Sequence, residues 1–135
     1  MALKWYTVVV DCHDPQAQAH WWAEALDWQV VYDTPDEAVA IPKDMEDEPA
    51  ADLAEWLSRG PGLVFVPVPE GKTVKNRLHI DLAPHTSQDR DAEIARLLDL
   101  GASRVDVGQD DAAVTWTVLA DPEGNEFCVL STRNR

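Results

Sequence analysis

The stretch Arg77-Leu78-His79-Ile80-Asp81-Leu82 decides the fold, because it restarts an order of elements that the chain has already run through once. Its alternating apolar and polar residues predict a strand. A helix is predicted over 87–100, where an apolar stripe ends at Gly101, a residue typical of a helix C-cap. Three further strands are predicted after it, at 104–107, 114–119 and 126–131. The second half is therefore strand, helix and three strands.

The first half has the same order. Trp5 to Asp11 is rich in β-branched and aromatic residues, which predicts a strand buried on both faces. Asp14-Pro15 then predicts the N-cap and first position of a helix over 14–26. Strands are predicted at 28–32, 37–41 and 63–68, with residues 43–59 interpreted as an insertion that contains an acidic run and a short helix. A tandem repeat of one supersecondary unit explains this recurrence.

Composition limits the domain organisation and the partners. A chain of 135 residues with 45% hydrophobic residues predicts one domain over 1–135, with module one at about 1–70 and module two at about 75–135. The net charge of −14, from 25 acidic and 11 basic residues, disfavours nucleic acid and anionic membrane surfaces. No segment approaches the roughly 20 apolar residues of a membrane span. The start also lacks a signal-peptide pattern, so we expect a cytoplasmic protein.

A second stretch, Asp121-Pro122-Glu123-Gly124-Asn125-Glu126-Phe127, lies between two β-rich runs. Asp-Pro and Glu-Gly-Asn are strong turn-forming sequences. They predict a tight hairpin that places Glu126 at the start of the last strand.

These motifs occur in an order that resembles a known family. The chain is similar to the glyoxalase/bleomycin-resistance/dioxygenase superfamily, also called vicinal oxygen chelate, and within it to the glyoxalase-like subgroup of small bacterial proteins. The resemblance covers nearly the whole chain except 43–59. It rests on Asp14-Pro15, Trp21-Trp22, the strand 78–82, Leu100-Gly101-Ala102 and the turn 121–127. It implies an α+β fold of two tandem βαβββ modules that form a curved, barrel-like mixed sheet around a cup, and a homodimer.

The resemblance also implies positions for a metal. In this superfamily a divalent metal in the cup is held by side chains from the first and last strand of each module, which here fall at Thr7, about Val66, His79 and Glu126. Histidine and glutamate are metal ligands, but a threonine hydroxyl is a weak one and valine cannot coordinate. The full site is therefore absent. The expected cofactor is none, or a divalent metal bound weakly at His79 and Glu126, with Asp81 available to complete the shell.

The cup is also where a ligand is expected. Strand alternation places Asp81 on the same face as His79, and Cys128 on the same face as Glu126. His79 and Glu126 are predicted to share a hydrogen bond, directly or through one water. Three interpretations of His79 stay open: a hydrogen-bonded core histidine, a pocket-lining side chain and a metal ligand. The predicted ligand-binding residues are Thr7, Val66, His79, Asp81, Trp116, Glu126 and Cys128.

Several functions fit this pattern. The missing ligands and the six tryptophans favour a protein that holds a small hydrophobic or aromatic molecule in the cup. The alternative is a metal-dependent lyase, isomerase or dioxygenase of the superfamily, and a third is a metal-free structural or regulatory domain. No nucleophile motif or phosphate loop is present, so no catalytic residue is assigned. The two cysteines, Cys12 and Cys128, lack zinc-site spacing and are expected to stay reduced.

Overall fold

A computed structural model describes residues 3–45, 47–106 and 114–135. The chain divides into two compact units, Met1–Gly71 and Lys72–Arg135. Each unit contains one four-stranded sheet and helical segments. Among the described residues no helix has the length and apolar character required to cross a membrane.

The first unit has four strands and two helices, in the order β1 (Thr7–Cys12), α1 (Pro15–Leu26), β2 (Trp28–Asp33), β3 (Ala38–Pro42), α2 (Leu53–Ser58) and β4 (Gly62–Pro67). The strand order across the sheet is β1-β4-β3-β2. β1 and β4 are parallel, while β2, β3 and β4 pair antiparallel. Proline cannot donate to a sheet ladder, and Pro67 accordingly ends β4.

Helix α1 forms the core of the first unit with one face of this sheet. Asp14 caps it, since its carboxylate accepts the Ala17 N–H at 3.1 Å, and Pro15 occupies the first turn, as the sequence predicts. The helix ends at Asp27, whose φ of 56° is left-handed. Its buried tryptophans, Trp21 and Trp22, meet edge to face with ring centroids 5.1 Å apart. The sheet supplies the buried side chains of Ala38, Ala40, Leu63 and Phe65.

The second unit repeats this arrangement with β5 (Ile80–Leu82), α3 (Arg90–Asp99), β6 (Ser103–Arg104), β7 (Thr117–Ala120) and β8 (Glu126–Val129). Its strand order is β5-β8-β7-β6, with β5 and β8 parallel and the other pairs antiparallel. β5 is shorter than predicted, so His79 directly precedes the strand instead of lying at its centre. β6 shares only Arg104 with the strand predicted at 104–107, and residue 107 lies outside the described residues.

Helix α3 begins after Asp89, whose carboxylate accepts the N–H groups of Asp91 and Ala92. The helix therefore starts at residue 90, later than the predicted residue 87. It ends at Asp99 with Leu100 as its C-cap, and Gly101 follows with a positive φ of 117°, as a glycine after a helix C-terminus does. The half-buried Arg90 holds its first turn to the sheet by donating to Thr117 Oγ1 and to the carbonyls of Val129 and Leu130, at 2.8–2.9 Å.

The hairpin predicted from the 121–127 stretch is confirmed. The buried Asp121 carboxylate accepts the N–H groups of Glu123 and Asn125, each at 3.0 Å. Gly124 takes the positive φ that the turn requires, 90°. β8 starts at Glu126. The α+β class and the repeated βαβββ order are confirmed as well, and the strands form two four-stranded mixed sheets, neither of which is closed.

Candidate functional site

The first sheet has one covered face and one open face. Side chains alternate along each strand, so Leu63, Phe65, Ala38 and Ala40 share the face with the buried core. The intervening residues Thr7, Val9, Val39 and Val64 point the other way, in the register Val9–Val64–Val39. Val9 is 55% exposed, so the prediction that this strand is buried on both faces was wrong. β1 is an edge strand, and only one of its faces is covered.

A cavity of about 440 Å³ lies over this open face. Its floor is made by strand residues, and its walls by Lys4, Tyr6, Gly60 and described residues of the 43–59 insertion. Apolar and charged groups both line it, among them Lys4, Tyr6, Thr7, Val31, Glu37, Val39, Ile41, Met45, Trp56, Arg59, Gly62 and Val64. The volume falls in the range of ligand sites, about 300–1,000 Å³.

Two cations hold the insertion over the cavity. Lys4 Nζ donates to the Trp56 carbonyl at 2.5 Å and lies 5.1 Å from the centroid of the Trp56 ring. Arg59 bridges the insertion, donating to the Glu48 carbonyl and to Glu55 Oε1. Trp56 is thereby fixed as a half-buried wall of the cavity. The sequence predicted a short helix here but gave no signal that it would line a cavity.

The short helix α2 is defined by its N-terminus. Asp52 caps it through the Glu55 N–H, and Glu55 in turn accepts the Ala51 N–H, each at 2.8 Å. The pKa of Glu55 lies below its usual value, first because of the Ala51 N–H and then because of Arg59. None of the α2 residues is buried, so these polar contacts, not a core, position Trp56.

Gly62 lies at the edge of the cavity where two strands approach closely. A Cβ there would meet the Ala40 carbonyl oxygen and Ile41 Cγ2 at 3.0 Å. The Gly62 carbonyl accepts the Thr7 hydroxyl at 3.0 Å. Thr7 therefore lines the cavity with its hydroxyl already bonded to the sheet.

In the second unit, Glu126 fastens the polar connector before β5 to the last strand. Its Oε1 accepts Lys72 Nζ at 2.9 Å and its Oε2 accepts the Asn76 N–H at 3.1 Å. The Glu126 side chain is 11% exposed and that of Lys72 is 21% exposed. Burial acts to raise the pKa of Glu126, but the bonds from Lys72 and Asn76 outweigh it, and the pKa lies below its usual value. Both oxygens of this carboxylate are thus engaged by cationic or N–H donors.

His79 has a different partner. Its Nε2 lies 3.2 Å from Asp81 Oδ1, and the two side chains are 44% and 46% exposed. No direct His79–Glu126 hydrogen bond is formed among the described residues: His79 pairs with Asp81, and Glu126 with Lys72 and Asn76. Sequence alone gave no indication of the role of Lys72, which lies in a connector of irregular structure.

Cys128 completes a cluster with these two residues. Asp81 and Cys128 are paired across the parallel strands β5 and β8, which sets their side chains next to each other on one face. One ligand atom from each of His79, Asp81 and Cys128 lies within 4.8 Å of the others. Burial raises the pKa of the Cys128 thiol, and the Asp81 charge raises it further. Trp116, also predicted for the site, is exposed and lies one residue before β7.

The positions that the superfamily uses for its metal can now be tested against the donors they carry. Thr7 donates its hydroxyl to Gly62, Val66 has no donor atom, and Glu126 is bonded to Lys72 and Asn76. The register also sets Gly62, not Val66, opposite Thr7, since Val66 pairs with Asp11. Among the described residues the superfamily's four-ligand set does not fit, and no chemical step is derived through it.

Both sheets have the strand order and the parallel first-to-last pairing of the glyoxalase/bleomycin resistance fold, and comparison with known proteins agrees. The family model described as Glyoxalase-like domain matches residues 7–130, so the chain belongs to the glyoxalase-like domain family. No curated protein matches the sequence.

Solved structures with the same fold include enzymes. A glyoxalase/bleomycin resistance protein/dioxygenase family enzyme from Burkholderia phytofirmans is similar with a TM-score of 0.65 and 14% identity, over 97% of this chain and 100% of that chain. The fosfomycin resistance protein FosX from Listeria monocytogenes, complexed with Mn(II) and sulfate, has a TM-score of 0.66 and 10% identity, over 98% and 93%. The hypothetical protein SA1046 from S. aureus has a TM-score of 0.63 and 12% identity, over 97% and 95%. Identities this low establish the fold alone.

Proposed function

We propose that the chain binds a small, partly aromatic molecule in the cavity over the open face of its first sheet. The observation that carries this proposal is the cavity itself, about 440 Å³ in volume, with a valine floor and the Trp56 ring as one wall. A flat apolar ligand fits between such surfaces because both partners lose water-exposed apolar area.

The polar groups at the cavity favour a ligand with at least one polar end. Lys4 and Arg59 supply positive charge at the lining, and the carboxylates of Glu37, Asp47 and Glu48 supply negative charge there. A few charged groups around an apolar floor fix the orientation of a ligand, while the floor supplies most of the binding free energy. We therefore expect an aromatic molecule with a carboxylate or amine to bind better than a plain hydrocarbon.

The enzyme alternative has less support at this cavity. The Thr7 hydroxyl on the floor of the cavity already donates a hydrogen bond to the Gly62 carbonyl. The similar enzymes share the fold at 10–14% identity, which does not transfer a reaction. The homodimer and the cytoplasmic location stay predictions.

Fluorescence titration with 1-anilinonaphthalene-8-sulfonate, a small aromatic anion, tests the binding proposal. We expect saturable binding by the folded protein, accompanied by quenching of tryptophan emission. Trp56→Phe should remove most of the quenching, whereas Trp116→Phe, a variant in the second unit, should keep it. Quenching that survives Trp56→Phe unchanged would place the dye elsewhere.

A pair of floor variants separates the cavity from the rest of the open face. Val39→Phe fills part of the floor and should weaken dye binding by about tenfold, the loss of roughly 1.4 kcal/mol. Val9→Phe adds the same ring on the same face but outside the lining, so it should bind like the parent protein. Equal effects of the two substitutions would contradict the proposal.

A further inference from the structure

The His79, Asp81 and Cys128 cluster on the second sheet combines three kinds of metal-ligand atom. Imidazole nitrogen, carboxylate oxygen and cysteine sulfur all bind zinc, and thiolate in particular favours zinc over magnesium, calcium or manganese. We propose that these three residues form a zinc site. It shares His79 with the superfamily's metal positions, but its other ligands are Asp81 and Cys128 instead of Glu126.

The separations of the donor atoms fit such a site. Zinc bonds to nitrogen and oxygen are about 2.0–2.1 Å, so a tetrahedral centre sets these donors about 3.3 Å apart. His79 Nε2 and Asp81 Oδ1 are 3.2 Å apart. Cys128 Sγ belongs to the same group, within 4.8 Å of both, and a zinc–sulfur bond of about 2.3 Å sets the sulfur about 3.6 Å from the other two donors. Small side-chain rotations bring all three donors to one ion.

The backbone fixes the arrangement independently of any ion. Asp81 and Cys128 are neighbours across the parallel β5–β8 pair, and Cys128 also pairs with Val118 on its other side. His79 is two residues before Asp81, and so reaches the same face. A thiol at the centre of three paired strands is held rigidly, while the exposed His79 and Asp81 give an ion access from solvent.

Charge supports the same assignment. Asp81 and Cys128 lie side by side across the β5–β8 pair, so a dication bound there would face a carboxylate and a thiolate together. A dication satisfies both groups at once: the thiol proton passes to solvent, and the sulfur and the carboxylate then share the ion. Glu126, by contrast, already has Lys72 at 2.9 Å and would have to give up that partner to bind a metal.

Cobalt(II) is the probe, because its thiolate complexes absorb in the near ultraviolet and its tetrahedral complexes absorb strongly in the visible. Full-length protein, reduced and treated with chelator, is titrated with cobalt, and zinc is then added to displace it. We expect one equivalent of cobalt to produce both features and zinc to abolish them. Absence of the sulfur-to-cobalt band with cobalt in excess overturns the proposal.

Variants identify the ligands. Cys128→Ser should remove the sulfur band, and His79→Ala and Asp81→Asn, both exposed positions, should weaken cobalt binding by at least about tenfold. Cys12→Ser, which alters the other buried thiol, should leave the spectrum unchanged. Circular dichroism of each variant verifies its fold.

Glu126→Gln distinguishes the new site from the superfamily's positions. If His79, Asp81 and Cys128 are the ligands, this variant keeps the cobalt affinity of the parent. If it loses affinity while Cys128→Ser retains it, the metal is bound at the superfamily's positions and the proposal is overturned. Dye binding is measured at the cavity of the first unit, so neither cobalt result bears on the cavity proposal.

Discussion

The two sheets of this chain share a strand order and differ in the side chains that one face of each sheet carries. In the first, Val39 and Val64 make an apolar floor beneath a cavity. In the second, the corresponding face presents Asp81 and Cys128 from its parallel strand pair. The two sheets share the apolar side chains that face the core at every second position of a strand. They differ in the side chains at the intervening positions, which point to the other face. A duplicated scaffold can therefore diverge in chemistry on one face while the other face keeps the fold.

The attachment of the helices differs in the same way. In the first unit, α1 covers the sheet with buried tryptophan and alanine side chains. In the second, α3 buries Ile94 and Leu97 and adds one guanidinium that binds three acceptors on β7 and the end of β8. Apolar packing tolerates small shifts, whereas a charged group with fixed acceptors specifies one position.

The largest expected effect tests the part that the two sheets share. Phe65 on β4 and Phe127 on β8 are both fully buried. Phe65→Ala and Phe127→Ala should each lower the free energy of unfolding by about 3–5 kcal/mol, because each leaves a large cavity in a packed core. Urea unfolding followed by circular dichroism measures both. If either variant lost less than about 1 kcal/mol of its free energy of unfolding, the two phenylalanines would not be equivalent core residues.

A smaller effect tests the difference in helix attachment. Arg90→Ala should lower the free energy of unfolding by about 2 kcal/mol, since the part-buried carbonyls of Val129 and Leu130 lose their hydrogen bonds to a charged group. Arg90→Lys should recover little of this loss, because an ammonium cannot reproduce the planar set of donors. If Arg90→Lys had the same free energy of unfolding as the parent, the positive charge of Arg90 alone, and not its planar set of donors, would account for its effect.

The smallest effect concerns Glu126, whose pKa is lowered in the folded state. The unfolded value is about 4.3, so the stabilisation from this shift is present above that pH and is lost as the pH falls through the folded pKa. The stability difference between the parent and Glu126→Gln, about 1 kcal/mol or less, should therefore shrink below about pH 4. Unfolding curves at pH 3 to 7 measure it. Lys72→Met should abolish most of the pH dependence, and a difference that stays constant in acid would contradict the assignment.

Much of this fold was predictable because its signals are local. Asp14-Pro15, the glycine at 101 and the turn at 121–127 act through the backbone within a few residues. Periodicity likewise located the strands, and the two modules followed from their order. Strand bounds were less accurate: β5 begins at Ile80 because pairing with β8, a non-local contact, determines where it starts.

The candidate sites were predictable only in part, because they depend on register and on side-chain partners. His79 could be named from the family resemblance, and Asp81 and Cys128 from strand alternation. Nothing local, however, showed that Lys72 would engage Glu126 across more than fifty residues. The cavity wall was missed for the same reason. Lys4 and Trp56 meet through the tertiary fold, and an acidic insertion carries no periodic signal that predicts such a contact.

The close packing at Gly62 limits what protein engineering can do with this chain. Any residue larger than glycine would bring its Cβ to 3.0 Å from the Ala40 carbonyl oxygen and Ile41 Cγ2, so these neighbours on β3 would have to shift slightly. Replacing Gly62, the residue opposite Thr7, by aspartate or glutamate would therefore introduce a close contact as well as a carboxylate. A designer who wished to install a metal ligand at position 62 would have to accommodate this shift in β3, whereas the second unit already carries donor side chains on its sheet.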